Sequence, residues 1–137
     1  MMAKTMKMLV VLCCTVAMQV GCGKDYEEKI VGSWDMTYWA VYSQQGTNGD
    51  VVEDWSFTFN KGGKGVMVYP RTVIGESDVE MATMEFDYSV DDEDLRMSIP
   101  EFELCHIERL DDSKMILSQT KTTADGTRMV VYSFTRR

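Results

Sequence analysis

Histidine occurs once, at His106, and cysteine only four times. Three of the cysteines, Cys13, Cys14 and Cys22, fall within the first 22 residues, so the rest of the chain holds Cys105 alone. A structural zinc site wants four soft ligands and a disulfide framework wants paired cysteines, so both are excluded from that part. Basic side chains are scarce too, 14 against 22 acidic ones, for a net charge of −8. Phosphate neutralisation by Lys and Arg supplies most non-specific nucleic-acid affinity, and this balance argues against such a partner. No apolar run reaches the ~20 residues that a helix needs to span a bilayer.

What is present begins with a short basic, then apolar, leader. Lys4 and Lys7 precede the run MLVVLCCTVAMQV, Met8 to Val20, the order of a secretory signal peptide over residues 1–21. Its end, Gln19-Val20-Gly21-Cys22, resembles the bacterial lipobox, in which a small residue precedes the cysteine that becomes residue one and carries diacylglycerol. By that resemblance Cys22 is the lipid attachment point and the protein is anchored to a membrane without crossing it. Each buried methylene contributes ~0.8 kcal/mol, so two or three acyl chains hold far more firmly than one. Removing the leader takes away two basic residues and no acid, which moves the net charge from −8 to −10.

Residues 22–29 then form an acidic tether, GKDYEEK after the cysteine, with no strand or helix period. The segment resembles the acid-rich export signal behind the lipidated cysteine of Bacteroidota lipoproteins. It implies an outer-membrane location facing the cell surface, with the periplasmic face as the alternative.

From Ile30 to Arg137 the period is two and the length suits one domain. SWDMTYWAVY, Ser33 to Tyr42, sets Trp34, Met36, Tyr38, Ala40 and Tyr42 on one face and Asp35, Thr37, Trp39 and Val41 on the other. EDWSFTFN repeats the pattern with Trp55, Phe57 and Phe59. Turn-like breaks fall at residues 44–50, 60–65, 90–95, 110–114 and 124–127, with Asn48-Gly49 and Asp125-Gly126 as the sharpest hairpin signals. About eight antiparallel strands result, at the spacing of a barrel or sandwich. Pro70 and Pro100 sit at strand ends, where a missing N–H is tolerated.

Several local patterns suggest chemistry and are answered by simpler structure. Cys105 and His106 are neighbours, but adjacent residues of a strand point to opposite faces and cannot form a nucleophile–base pair. DDED, Asp91 to Asp94, lacks the spaced ligands of an EF-hand loop and reads as a hairpin. GGKG, Gly62 to Gly65, runs into a strand, whereas a phosphate loop opens a helix. No carboxylate pair stands in a recognisable setting. The expectation is a protein that is not an enzyme, with no catalytic residues, no metal and no cofactor.

Gly32-x-Trp34 at the start of the first strand and Arg136-Arg137 at the end of the last resemble the arrangement of the lipocalins. Lipobox, tether, I-x-G-x-W, F-x-F-N-x-x-G-x-G at Phe57 to Gly65 and I-x-x-L at Ile107 to Leu110 together resemble small lipocalin-like lipoproteins of Bacteroidota. The resemblance implies an all-β fold, a single up-and-down barrel of about eight strands over residues 30–137. An open or flattened barrel or a sandwich is the rival. It also implies that Gly32 and Trp34 close the base, with Arg136 or Arg137 packed across the Trp. The alternation then makes Trp34, Tyr38, Tyr42, Trp55, Phe57 and Phe59 the interior, joined by some of the seven methionines beyond residue 21. An eight-stranded barrel is just wide enough to be filled by side chains or to hold one small ligand. Two functions follow: a carrier of a small apolar or amphipathic molecule, or an interaction protein with a filled core, which meets a protein or glycan through outward residues such as Trp39 and Val41.

Overall fold

The computed structural model describes residues 25–72, 74–75 and 78–137. Cys22, the leader and the start of the tether lie outside the described residues. A short helix α1 (Asp25–Lys29) is followed by nine strands: β1 (Gly32–Ser43), β2 (Gly46–Val51), β3 (Ser56–Asn60), β4 (Lys64–Thr72), β5 (Val79–Asp91), β6 (Asp94–Met97), β7 (Leu104–Leu110), β8 (Lys114–Thr123) and β9 (Gly126–Arg136). All pairings are antiparallel, in the order β2-β1-β3-β4-β5-β6-β7-β8-β9, and β1 also pairs with β9. That last pairing closes a barrel, in which β2 and β3 share one edge of β1 and act as a single bent strand.

Two differences from the sequence reading are local. Asp25–Lys29 is helical, not a formless tether, and Tyr26 packs against the core, with its carbonyl accepting the Ile30 N–H at 3.0 Å. Asn48 and Gly49 are not a turn: they pair with Val41 and Ala40 inside the β1–β2 hairpin, which turns earlier, at Gln44-Gln45. Gly49 is needed there for another reason, since a Cβ would stand 2.4 Å from the Tyr38 hydroxyl and 2.8 Å from the Trp39 carbonyl oxygen. The hairpin at Ala124-Asp125 lies where expected, and Gly126 takes the positive φ of 125°.

The lower half of the barrel is filled. Trp34, Phe57, Phe59, Leu95, Ile107, Met115 and Leu117 are all under 2% exposed. Phe57 sits at the centre, edge-on to Phe102 at 5.4 Å, to Phe134 at 5.5 Å and to Phe86 at 6.2 Å. Such edge-to-face pairs add ~0.5–1.5 kcal/mol each beyond the area they bury. Gly65 pairs with Phe86, whose ring fills the space a Cβ would need, at 2.4 Å.

The base is fastened by the two ends of the folded chain. The Arg136 guanidinium lies 4.2 Å from the Trp34 ring centroid. It donates to the main-chain oxygens of Val31 at 2.8 Å, Asp112 at 2.8 Å and Lys29. Gly32 makes room for it, because a Cβ there would fall 2.5 Å from Nη1, and its φ of 136° suits glycine. Trp34 Nε1 donates to the Ile30 carbonyl at 2.8 Å. Arg137 turns outward to Asp35, at 2.6 Å.

The upper half opens. β3 leaves β4 after Val68, and β5 meets β6 only from Tyr88 onward. Residues 69–72 and 79–82 therefore form a two-stranded ribbon with no strand on either flank among the described residues. Facing it, β2, β1, β9 and β8 form a continuous four-stranded wall.

Candidate functional site

A change of phase in β1 builds the site. Met36 pairs with Phe134, but the next partner of Ser133 is Tyr38, so Thr37 is the extra residue of a β-bulge. Its hydroxyl donates to the Ser133 carbonyl at 3.2 Å, and its own carbonyl accepts the Val52 N–H at 3.0 Å. The Met36 N–H donates to Trp55 O at 2.9 Å, so residues 52–55 bend around the bulge.

Side-chain facing alternates along a strand, and one extra residue exchanges inside for outside beyond it. Tyr38 and Tyr42, expected in the interior, are outward and 42% and 47% exposed. Trp39 and Val41, expected outside, face inward and pair across the sheet with Tyr132 and Val130.

These residues wall a cavity of about 470 Å³ at the mouth, above the packed base. Met36, Trp39, Val41, Trp55, Val130 and Tyr132 supply its apolar lining, and Phe102 borders it from the 3-10 turn Pro100–Phe102. Glu53, Glu101 and Lys121 are the charged residues along it. Trp55 stands 5.4 Å from the Tyr69 ring, which ties the cup to the ribbon.

Gln119, 8% exposed, holds the turn in place. Its Nε2 donates to the carbonyls of Glu101 at 3.0 Å and Leu104 at 3.4 Å, and its Oε1 accepts from the Tyr132 hydroxyl at 3.0 Å. Burial, with Cys105 and Glu101 nearby, pushes the Tyr132 hydroxyl up to about 12, so it remains a donor at neutral pH. A polar strut thus crosses an otherwise apolar wall with its hydrogen bonds made.

Of the other residues singled out from the sequence, Trp55 lines the cup, whereas Trp34, Phe57 and Phe59 fill the base beneath it. Cys105 is fully buried and its thiol is pushed up to about 12 by burial. His106 is on the outer face, 3.6 Å from Glu93 and 3.7 Å from Asp94. Asp91–Asp94 and Asn60–Lys64 are hairpin turns, with Asp92 at φ 53°. No group of three or more His, Cys, Asp or Glu side chains is placed to hold a metal ion among the described residues.

The cup residues that alternation alone misses are Trp39, Val41, Val130, Tyr132 and Lys121. Their signal is faint: Tyr38 to Tyr42 is apolar on both faces, which leaves its phase undetermined by pattern.

No protein-family model and no curated protein sequence matches the chain. Among solved structures it is similar to a deswapped triple mutant of bovine odorant-binding protein, at TM-score 0.46 and 11% identity over 80% of this chain and 74% of that one. The odorant-binding protein OBP1 gives TM-score 0.46 and 9% identity, over 81% and 73%. The siderocalin Ex-FABP gives 0.46 and 14%, over 80% and 74%. The barrel described above stands on its own strand pairings.

Proposed function

We propose that this chain is a non-enzymatic lipoprotein, acylated at Cys22, whose cup holds one small apolar or amphipathic molecule. The observation that carries the binding reading is the 470 Å³ cavity, walled by Trp39, Trp55 and Tyr132 and seated on a filled base. Ligand sites are concave, mostly apolar and supplied with a few placed polar groups, and the Gln119–Tyr132 strut with Lys121 fits that description. The anchoring reading rests on the lipobox-like end of the leader and the acid-rich residues behind it. In this reading the protein sits on the outer membrane and faces the cell surface. Because α1 lies at the closed base, the cup then points away from the membrane that holds the anchor.

Native mass spectrometry of the protein purified from the cells that make it tests the carrier reading. A co-purifying small-molecule adduct that leaves on mild denaturation, and is lost from Trp39→Ala, is expected. A clean apo mass overturns it. The anchor is tested separately, by the mass of the membrane-extracted protein: Cys22→Ala should remove the acyl increment and release the protein from the membrane fraction.

A second reading, contact with a partner through the outer wall, draws on Tyr38, Tyr42 and Met129, which the bulge leaves outward and 42–47% exposed on β1 and β9. Exposed apolar patches of this kind mark contact sites. Cross-linking from a photoreactive residue at position 42 should capture one defined partner, and diffuse labelling removes the reading.

A further inference from the structure

Lys121 and Arg128 are direct cross-strand partners on β8 and β9. Lys121 lines the cup, and a residue directly opposite in an antiparallel pair shares its face, so Arg128 is also on the inner face, at the rim. Like charges directly opposite each other, with Cβ atoms about 5 Å apart, destabilise a sheet. Neither cation forms an ion pair with any described residue, although acidic residues outnumber basic ones 22 to 14. The same inner-face column runs down β9 through Val130 and Tyr132, and down β8 through Gln119 and Leu117. From the Tyr132–Leu117 pair to the Arg128–Lys121 pair is four residues, about 13 Å. Along that length the inner wall, apolar at Val130 and Tyr132 and with the hydrogen bonds of Gln119 already made, ends in two adjacent cations.

We infer that the cup selects a single-chain anionic amphiphile, its tail against Trp39, Trp55 and Val130 and its head group between Lys121 and Arg128. This rests on the carrier reading above and adds the sign of the ligand's charge. An anion placed between the two cations would remove their mutual repulsion while making charge-assisted hydrogen bonds to both, bidentate in the case of Arg128. Glu53 and Glu101 also border the cup, but they come from separate connections, one before β3 and one in the 3-10 turn, and are not held opposite each other in a strand pair.

The test is isothermal titration of the full chain, carrying Cys22→Ser so that no acyl group of its own competes, with decanoate, decanol and decyltrimethylammonium at monomeric concentrations. Decanoate should bind at least tenfold more tightly than decanol, and that preference should shrink as salt is raised, because rim charges are screened. Lys121→Ala combined with Arg128→Ala should bring decanoate down to the affinity of decanol, while Lys61→Ala at the opposite end keeps the preference. Equal binding of decanoate and decanol, tightest binding of the ammonium, or a preference that survives the double substitution overturns the inference while leaving the carrier reading in place. Absence of heat from all three removes the carrier reading and this inference with it.

Discussion

Arg136 joins residues that lie more than a hundred positions apart in the chain, through the carbonyls of Lys29 and Val31 and the face of Trp34. Hydrogen bonds from a charged donor contribute ~1.5–3 kcal/mol each, less where solvent reaches them, and the cation–π contact adds ~0.5–2. Arg136→Ala should therefore destabilise the fold by about 2 to 4 kcal/mol in urea unfolding. Lys at this position should recover only part of that, since an ammonium lacks the planar fork. A second residue-scale expectation concerns Asp111, whose carboxylate accepts the N–H groups of Ser113 and Lys114 at 2.9 and 2.8 Å and a bond from Arg109 at 2.8 Å. Those bonds hold its carboxyl well below the ordinary value of 3.8. A lowered folded value means the contribution is present above the unfolded pKa and is lost as pH falls through the folded one. The stability difference between the native protein and Asp111→Asn should thus be full near neutrality and shrink on acidification below about pH 4, the range of an unperturbed Asp.

At the scale of elements, the β1 bulge decides which aromatic residues face the cup. Tyr42→Ser should shift stability by less than about 1 kcal/mol, as befits a half-exposed side chain, and leave ligand binding intact. Trp39→Ser should abolish binding at comparable stability. A titration that showed the reverse would restore the unbroken alternation. The pattern of two identified the strands other than β2, whose residues 46–50 read as part of a turn, their number around the ring and the buried Trp34, Phe57 and Phe59, because those positions alternate with polar neighbours. It failed from Tyr38 to Tyr42, where five apolar residues in a row carry no phase, and only the hydrogen bonds of Met36 and Thr37 with Ser133 and residues 52–55 set it. A clue was present in β7, where buried Ile107 and Leu110 are three apart because Glu108 is extra. Met36 and Trp39 show the same spacing of three. Asn48-Gly49 misled for a related reason: the glycine serves the packing of Tyr38 and not a turn.

Considered as a whole, the molecule divides into a closed, filled base and an open cup, and neither of the two interiors expected of an eight-stranded ring describes it alone. Stability should follow that division. In hydrogen exchange, amides of Trp34, Phe57 and Leu117 should be the slowest, close to the global unfolding limit, and residues 79–82 of the ribbon the fastest among the strands, since an isolated two-stranded ribbon is marginal in water. Occupation of the cup should slow the ribbon selectively, through Trp55 against Tyr69; uniform slowing or none would show that the ribbon is independent of the site. The closed base was legible in the sequence at Gly32, Trp34 and Arg136, at the two ends of the folded chain. The cup was not, because its walls depend on where β3 leaves β4 and β5 leaves β6, which no single strand encodes.

The fastening of both chain ends at one pole has a mechanical consequence. A load drawn through the segment before Asp25 reaches Ile30, Trp34 and Arg136 first, and then runs along the axis of β1. That strand is gripped on one side by β9 and on the other by β3 and β2, so it must be sheared past three partners at once instead of being peeled from one. A tether at this end would pull on the barrel where it is hardest to unravel.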